Sequence, residues 1–160
     1  MLVAPITSMY AGILGIYYLK LLFDVIKQRR KTMTSVGDGS QILIKKIVDA
    51  GKSGKTENFS NIDYLLYDDL LKTIRSHGNF GEFVPFALLL SLICEINGIP
   101  GILLNGVLFT FTVSRFAHVS GLHAQYSLGS GRKIGVLLTI FTLFSFSIIC
   151  IFYPISKYIS

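Results

Sequence analysis

The sequence predicts an all-α fold, an integral membrane four-helix bundle, and three observations carry that expectation. Over 160 residues the chain is 51% hydrophobic, more apolar than a domain whose whole surface must be wetted by water. Met1–Leu19, Ile96–Ser114 and Ile134–Ser156 contain no Asp, Glu, Lys or Arg, and each approaches or exceeds the roughly 20 apolar residues that cross a bilayer as a helix. The formal charge of +6 is gathered beside the ends of these runs.

The first span is expected over about 4–27. No Lys or Arg precedes its apolar run and Lys20 follows it, the reverse of a secretory signal, so it reads as a retained helix. A long connection, about 28–67, comes next, with turn chemistry at Gly37-Asp38-Gly39 and Gly51-Lys52-Ser53-Gly54. Between these turns Leu43, Ile44, Ile47 and Val48 fall on one helical face and Lys45, Lys46 and Asp49 largely opposite; a short helix on the membrane surface and a partly ordered loop both fit. Two motif-like strings here carry no chemistry. Gly51-Lys-Ser-Gly-Lys-Thr56 is similar to a phosphate-binding loop, but Asp49 stands where its first glycine belongs and no strand leads into it. Asn58-Phe-Ser60 is a glycosylation sequon on a face expected to be cytoplasmic.

The second span, about 68–96, must carry Arg75, Asn79 and Glu82, because the charge-free stretch from Phe83 to Cys94 is too short to cross alone. The third, about 100–119, starts at Pro100, which the first turn of a helix tolerates. The fourth, about 133–156, follows the flexible Gly129-Ser-Gly131. Together they are expected to form one membrane domain, 1–160. Cys94 and Cys150 fall inside apolar spans and read as small buried hydrophobes, with no disulfide or metal framework implied.

Basic residues flanking membrane helices stay cytoplasmic. Lys27, Arg29, Arg30, Lys31, Lys45, Lys46, Lys52, Lys55 and Lys72 lie after the first span or early in the second, and Arg132 and Lys133 precede the fourth. Asn97-Gly98-Ile99-Pro100 has no Lys or Arg. Both termini are therefore expected on the non-cytoplasmic side. Nothing in the pattern resembles a nucleic-acid-binding module, so no nucleic-acid partner is expected.

Arg75, Asn79, Glu82 and Phe86 are spaced to line one helical face. Ionised groups well inside a bilayer cost several kcal/mol when they meet lipid, so this stripe is expected to face the bundle interior or a wet cavity near the cytoplasmic end. It then either holds the bundle together or binds a polar ligand. Pro85 removes a backbone hydrogen bond and is expected to kink the helix beside the stripe.

Arg75-Ser-His-Gly-Asn79-Phe-Gly-Glu82-Phe-Val-Pro85 resembles the signature of the MAPEG superfamily, membrane-associated proteins in eicosanoid and glutathione metabolism, and its wording is similar to the bacterial branch. Arg115-Phe-Ala-His118-Val-Ser-Gly121 and Arg132 continue the resemblance through the last two spans. The resemblance implies a homotrimer in a bacterial inner membrane, binding glutathione as co-substrate between subunits and taking a hydrophobic small molecule from the bilayer. Glutathione presents two carboxylates, an ammonium, amides and a thiol. The family pattern implies that Arg75 holds a carboxylate, Asn79 the peptide and Glu82 the ammonium, with Arg115 and His118 also at the site. Arg132 would stand nearest the sulfur, where a guanidinium favours the nucleophilic thiolate.

The chain departs from the family in two places. His118 and Leu122 stand where tyrosines are frequent, leaving His123 and Tyr126 as substitutes, and Arg132 lies farther from Gly121 than usual. The resemblance thus implies a glutathione-dependent transferase or peroxidase acting on hydrophobic electrophiles or lipid hydroperoxides. The alternative is a non-catalytic lipid-binding or regulatory membrane protein of the same family.

Overall fold

The computed structural model describes residues 3–54, 57–60, 62–124, 127 and 129–159, the side chains of residues 53, 57, 58 and 158 excepted. Among the described residues six helices run in order: α1 (Pro5–Thr32), α2 (Ser40–Ser53), α3 (Glu57–Ser60), α4 (Tyr64–Ile96), α5 (Gly101–His123) and α6 (Ser130–Ile159). Among the described residues there is no strand, and four helices, α1, α4, α5 and α6, are long and apolar enough to cross a membrane. The chain packs as two compact units, 1–19 with 78–160 and 20–77.

Each spanning helix outruns its charge-free segment, because the flanking charged residues are themselves good helix formers. α1 continues through Arg29, Arg30 and Lys31, whose charges suit the negative end of the helix dipole. It stops where Met33 turns left-handed at φ 51°. The Thr34 amide then donates to the Arg29 carbonyl at 3.0 Å and the Met33 amide to Arg30 at 3.4 Å, the paired bonds of a Schellman cap. α4 ends the same way with glycine in the left-handed position. Gly98 sits at φ 82°, its amide donates to Glu95 and the Ile99 amide to Cys94, and Pro100 leads directly into α5. α4 runs unbroken through Pro85, which leaves the Gly81 carbonyl without its usual amide donor.

In the unit of residues 20–77, α2 gives the amphipathic segment its answer: it is a helix of 14 residues. Gly39 precedes it at φ 83°, and a Cβ there would stand 2.8 Å from the Tyr67 ring, so the turn requires glycine twice over. The Asp38 carboxylate accepts from the Ser40 hydroxyl and, at 3.0 Å, from the Ser40 amide. Those bonds, helped by the Arg75 charge, hold the Asp38 carboxyl below its usual range. Stabilisation from Asp38 is therefore present above the ordinary carboxylate pKa and fades as pH falls through the lowered one. Ile44, Ile47 and Val48 are exposed on α2, while Ala50 is buried.

In the unit of residues 1–19 and 78–160, Tyr10, Cys94, Ile99, Leu104, Leu108 and Phe146 form a core to which α1, α4, α5 and α6 all contribute. Beside it, Glu95 near the end of α4 caps the start of α1. Its carboxylate accepts from the Ile6 and Thr7 amides, both at 2.8 Å, and the Thr7 and Ser91 hydroxyls meet at 2.9 Å. Orphan amides at a helix start are thus satisfied by another helix rather than by a local cap. Glu95→Ala is expected to lower unfolding stability in detergent by about 1–2 kcal/mol, the cost of losing an N-cap. An unchanged midpoint would show that water replaces the carboxylate without loss.

The α5–α6 corner corrects the expectation of a flexible glycine linker. A Cβ on Gly131 would lie 2.5 Å from the Ala117 carbonyl oxygen, and one on Gly129 would lie 2.9 Å from the Gly121 Cα. These glycines are small because the two backbones touch. Gly121 is part of the same contact, its hypothetical Cβ lying 2.0 Å from the Arg132 nitrogen, whereas Gly106 faces open space.

Candidate functional site

Arg115 organises the polar centre of the bundle. It lies on α5, is only 2% exposed, and reaches two other helices. One terminal nitrogen donates to the Asn79 carbonyl oxygen on α4 at 3.1 Å. The other donates to the Gly135 carbonyl on α6 at 3.1 Å and to the Thr139 hydroxyl. Nε leans on Ser114 Oγ at 3.4 Å, and Ser114 and Thr139 are joined at 3.2 Å. The Phe83 and Phe111 rings lie 5.6 and 5.5 Å from the guanidinium, close enough for cation–π attraction. No carboxylate pairs with Arg115 among the described residues. A buried cation is costly unless its donors are met, and here neutral oxygens and ring faces meet them.

This arrangement divides the six sequence-predicted site residues. Asn79, Arg115 and His118 are brought together with the backbone of α6. His118 is buried, and a Cβ on Gly135 would come within 2.6 Å of its own Cβ, so the ring lies against the start of α6. Its Nδ1 has no hydrogen-bond partner among the described residues. Arg132 stands in the first turn of α6 rather than before it, with an exposed side chain whose guanidinium donates to the Ser127 carbonyl at 3.1 Å.

Glu82 and Arg75 are not gathered into the bundle. Both are exposed on α4, as is Phe86, so the stripe expected to face inward turns only Asn79 toward the other helices. The physical reason is helical phase. Ser76, Phe80, Val84 and Ala87 are the buried residues of this stretch, and the stripe lies to one side of them. Among the described residues Glu82 forms no ion pair. Of the substitutes for the missing tyrosines, His123 bonds its own helix through the Val119 carbonyl at 3.0 Å, and Tyr126 lies outside the described residues. Leu122 is buried.

Sequence reasoning missed Ser114, Thr139 and Gly135 as supports of Arg115. A signal was present: Gly135, Thr139 and Thr142 are spaced four and three apart, a small and polar face on an otherwise apolar helix, and all three are buried.

The comparisons with known proteins agree with this architecture. A family model described as the MAPEG family matches residues 7–152. The inner membrane protein YecN of Escherichia coli, from strain K12 and from an O6:H1 strain, is 24% identical over 134 residues, covering 84% of this chain and 81% of the relative. No solved structure matches. The family match spans all four membrane-length helices, and the chain belongs to the MAPEG family.

Proposed function

We propose that this protein is a glutathione-dependent transferase or peroxidase of a bacterial inner membrane, acting on hydrophobic electrophiles or lipid hydroperoxides and working as a homotrimer. The observation that carries the reading is the outward-facing charge on α4. An exposed Glu82 and Arg75 on a membrane-spanning helix are costly against lipid, and a neighbouring copy with a charged ligand relieves that cost for both. Glutathione has the matching groups. Its ammonium suits Glu82 and a carboxylate suits Arg75, as charge-assisted bonds. Asn79, whose carbonyl oxygen is taken by Arg115, keeps its amide donors for the peptide.

In this reading Arg115 is a positioning residue, since its hydrogen bonds are used within the chain, and Arg132 is the exposed cation left to favour the thiolate. The exposed apolar residues of the same surface, Phe86 and Leu89, suit a lipophilic co-substrate arriving from the bilayer. The orientation follows the basic loops: termini outside, Arg132 and the 28–67 segment cytoplasmic. The name of the relative YecN supports the inner-membrane assignment.

The non-catalytic alternative draws on one observation. Leu122 and His118 stand at the positions where the family often has tyrosines, so neither position supplies a phenolic hydroxyl, and both side chains are buried within the chain. Two measurements on the detergent-solubilised chain separate the readings. Light scattering with the detergent mass subtracted is expected to give a trimer. Glutathione at one hundred times its Kd is expected to add about 2.7 kcal/mol to apparent stability. A monomer removes the shared site. A trimer that binds glutathione yet turns over no electrophile or hydroperoxide favours the regulatory reading.

A further inference from the structure

The two cysteines of this protein, 56 residues apart and on different helices, meet. Cys94 Sγ on α4 and Cys150 Sγ on α6 stand 3.5 Å apart, and both are free thiols. Cys94 is 1% exposed within the core of the bundle. Cys150 is partly exposed, and its sulfur also lies 3.8 Å from the Leu90 carbonyl oxygen. The pair lines a narrow crevice whose wall includes Asn97, Ile99, Ile149 and Tyr153. Cys94 lies fifteen residues beyond Asn79, about 22 Å along the α4 axis at the helical rise, so the crevice is separate from the polar centre around Arg115.

We propose that Cys94 and Cys150 form a dithiol site that reduces small lipophilic disulfides and is itself closed to an α4–α6 disulfide. Three features of the cysteine pair lead there. Joining the sulfurs requires them to close by roughly 1.5 Å, to the bond length of about 2.05 Å. Cys150 is partly exposed and Cys94 buried, the arrangement of an attacking and a resolving cysteine. The crevice is too narrow to hold a water molecule and its wall is mainly apolar between membrane-length helices, so a disulfide reaches the pair from the exposed side of Cys150 on a membrane-length helix, which favours a lipophilic disulfide over an ionic one.

The chemistry balances without any further reagent. Cys150 loses its proton and attacks one sulfur of the external disulfide, forming a mixed disulfide and releasing the first small thiol, which takes up that proton. Cys94 then loses its proton and attacks Cys150 Sγ, expelling the second small thiol, which takes up the second proton. Two electrons pass from the protein sulfurs to the external disulfide, and two small thiols leave.

With only these two cysteines in the sequence, the test reads them without interference. The reduced, detergent-solubilised full chain is treated with one equivalent of 4,4′-dithiodipyridine, a lipophilic disulfide whose thiopyridone product is coloured. Two thiopyridones per chain are expected, with the intact mass lowered by two hydrogens, no pyridylthio group retained, and the mass restored by a phosphine reductant. Cys94→Ser is expected to retain one pyridylthio group on Cys150 and release a single thiopyridone, and Cys150→Ser to leave the buried Cys94 unreacted; the reverse pattern would overturn the assignment of the attacking thiol. The proposal is overturned if the wild-type chain retains pyridylthio groups, if the bond formed links two copies on a non-reducing gel, or if the folded chain releases no thiopyridone. These wild-type outcomes need neither variant to fold, and none depends on whether glutathione binds.

Discussion

Gly135→Ala is expected to separate α5 from α6 and to destabilise the protein by about 3 kcal/mol or more, at the upper end of what overpacking costs. The added Cβ would stand 2.6 Å from His118 Cβ, 2.7 Å from the Ser114 carbonyl oxygen and 2.8 Å from His118 Cα. None of these is the far end of a flexible side chain, so relief requires the helices themselves to part. Arg115 would suffer with them, because the Gly135 carbonyl is one of its acceptors. Gly106→Ala provides the contrast. Gly106 has open space around the position of its Cβ, and alanine is the better helix former by about 1 kcal/mol, so that variant should be neutral or slightly more stable. Denaturant titration of both variants in one detergent decides. Equal effects at the two positions would show that the close approach of α5 and α6 is not what Gly135 serves.

The spans were legible because apolar length is a local property: a run without charge is visible wherever its partners are. The ends were less so. α1 runs on past Lys27, Arg29, Arg30 and Lys31, and α4 starts at Tyr64 with a Lys72–Asp68 pair at 2.8 Å in its early turns, since a charge ends an apolar run without ending a helix. The polar centre was half legible. The four-three-four spacing picked out Asn79 and Glu82 but not which of them turns inward, and that depends on the phase set by Phe80, Val84 and Ala87. Long-range pairs left no trace in the pattern. Glu95 meets Ile6 and Thr7 across 89 and 88 residues, and Cys94 meets Cys150 across 56. The glycines of the α5–α6 corner read locally as freedom, but tertiary packing uses them as clearance.

Glu82→Gln is expected to weaken glutathione binding by about 1.5–3 kcal/mol, roughly ten- to 150-fold, while leaving the stability of the unliganded protein within about 0.5 kcal/mol. The substitution keeps shape and deletes the charge assigned to the ammonium, and Glu82 is exposed and forms no ion pair among the described residues. Asn79→Ala should weaken glutathione binding as well, and differ from Glu82→Gln in its effect on the unliganded protein. It removes an acceptor from a buried guanidinium, so it should lower the unfolding midpoint even without glutathione. Arg132→Ala should spare most binding and reduce kcat by about a hundredfold, because its proposed interaction strengthens as the thiolate attacks. Calorimetric titration of the three variants, alongside thioether formation with a chlorodinitrobenzene-type electrophile, resolves these signatures. If Glu82→Gln instead lowers stability without ligand and leaves glutathione affinity unchanged, the α4 stripe holds copies of the chain together rather than a peptide. If Arg132→Ala changes affinity and kcat/KM in step with kcat untouched, Arg132 contributes to binding alone and the thiolate is stabilised by another group.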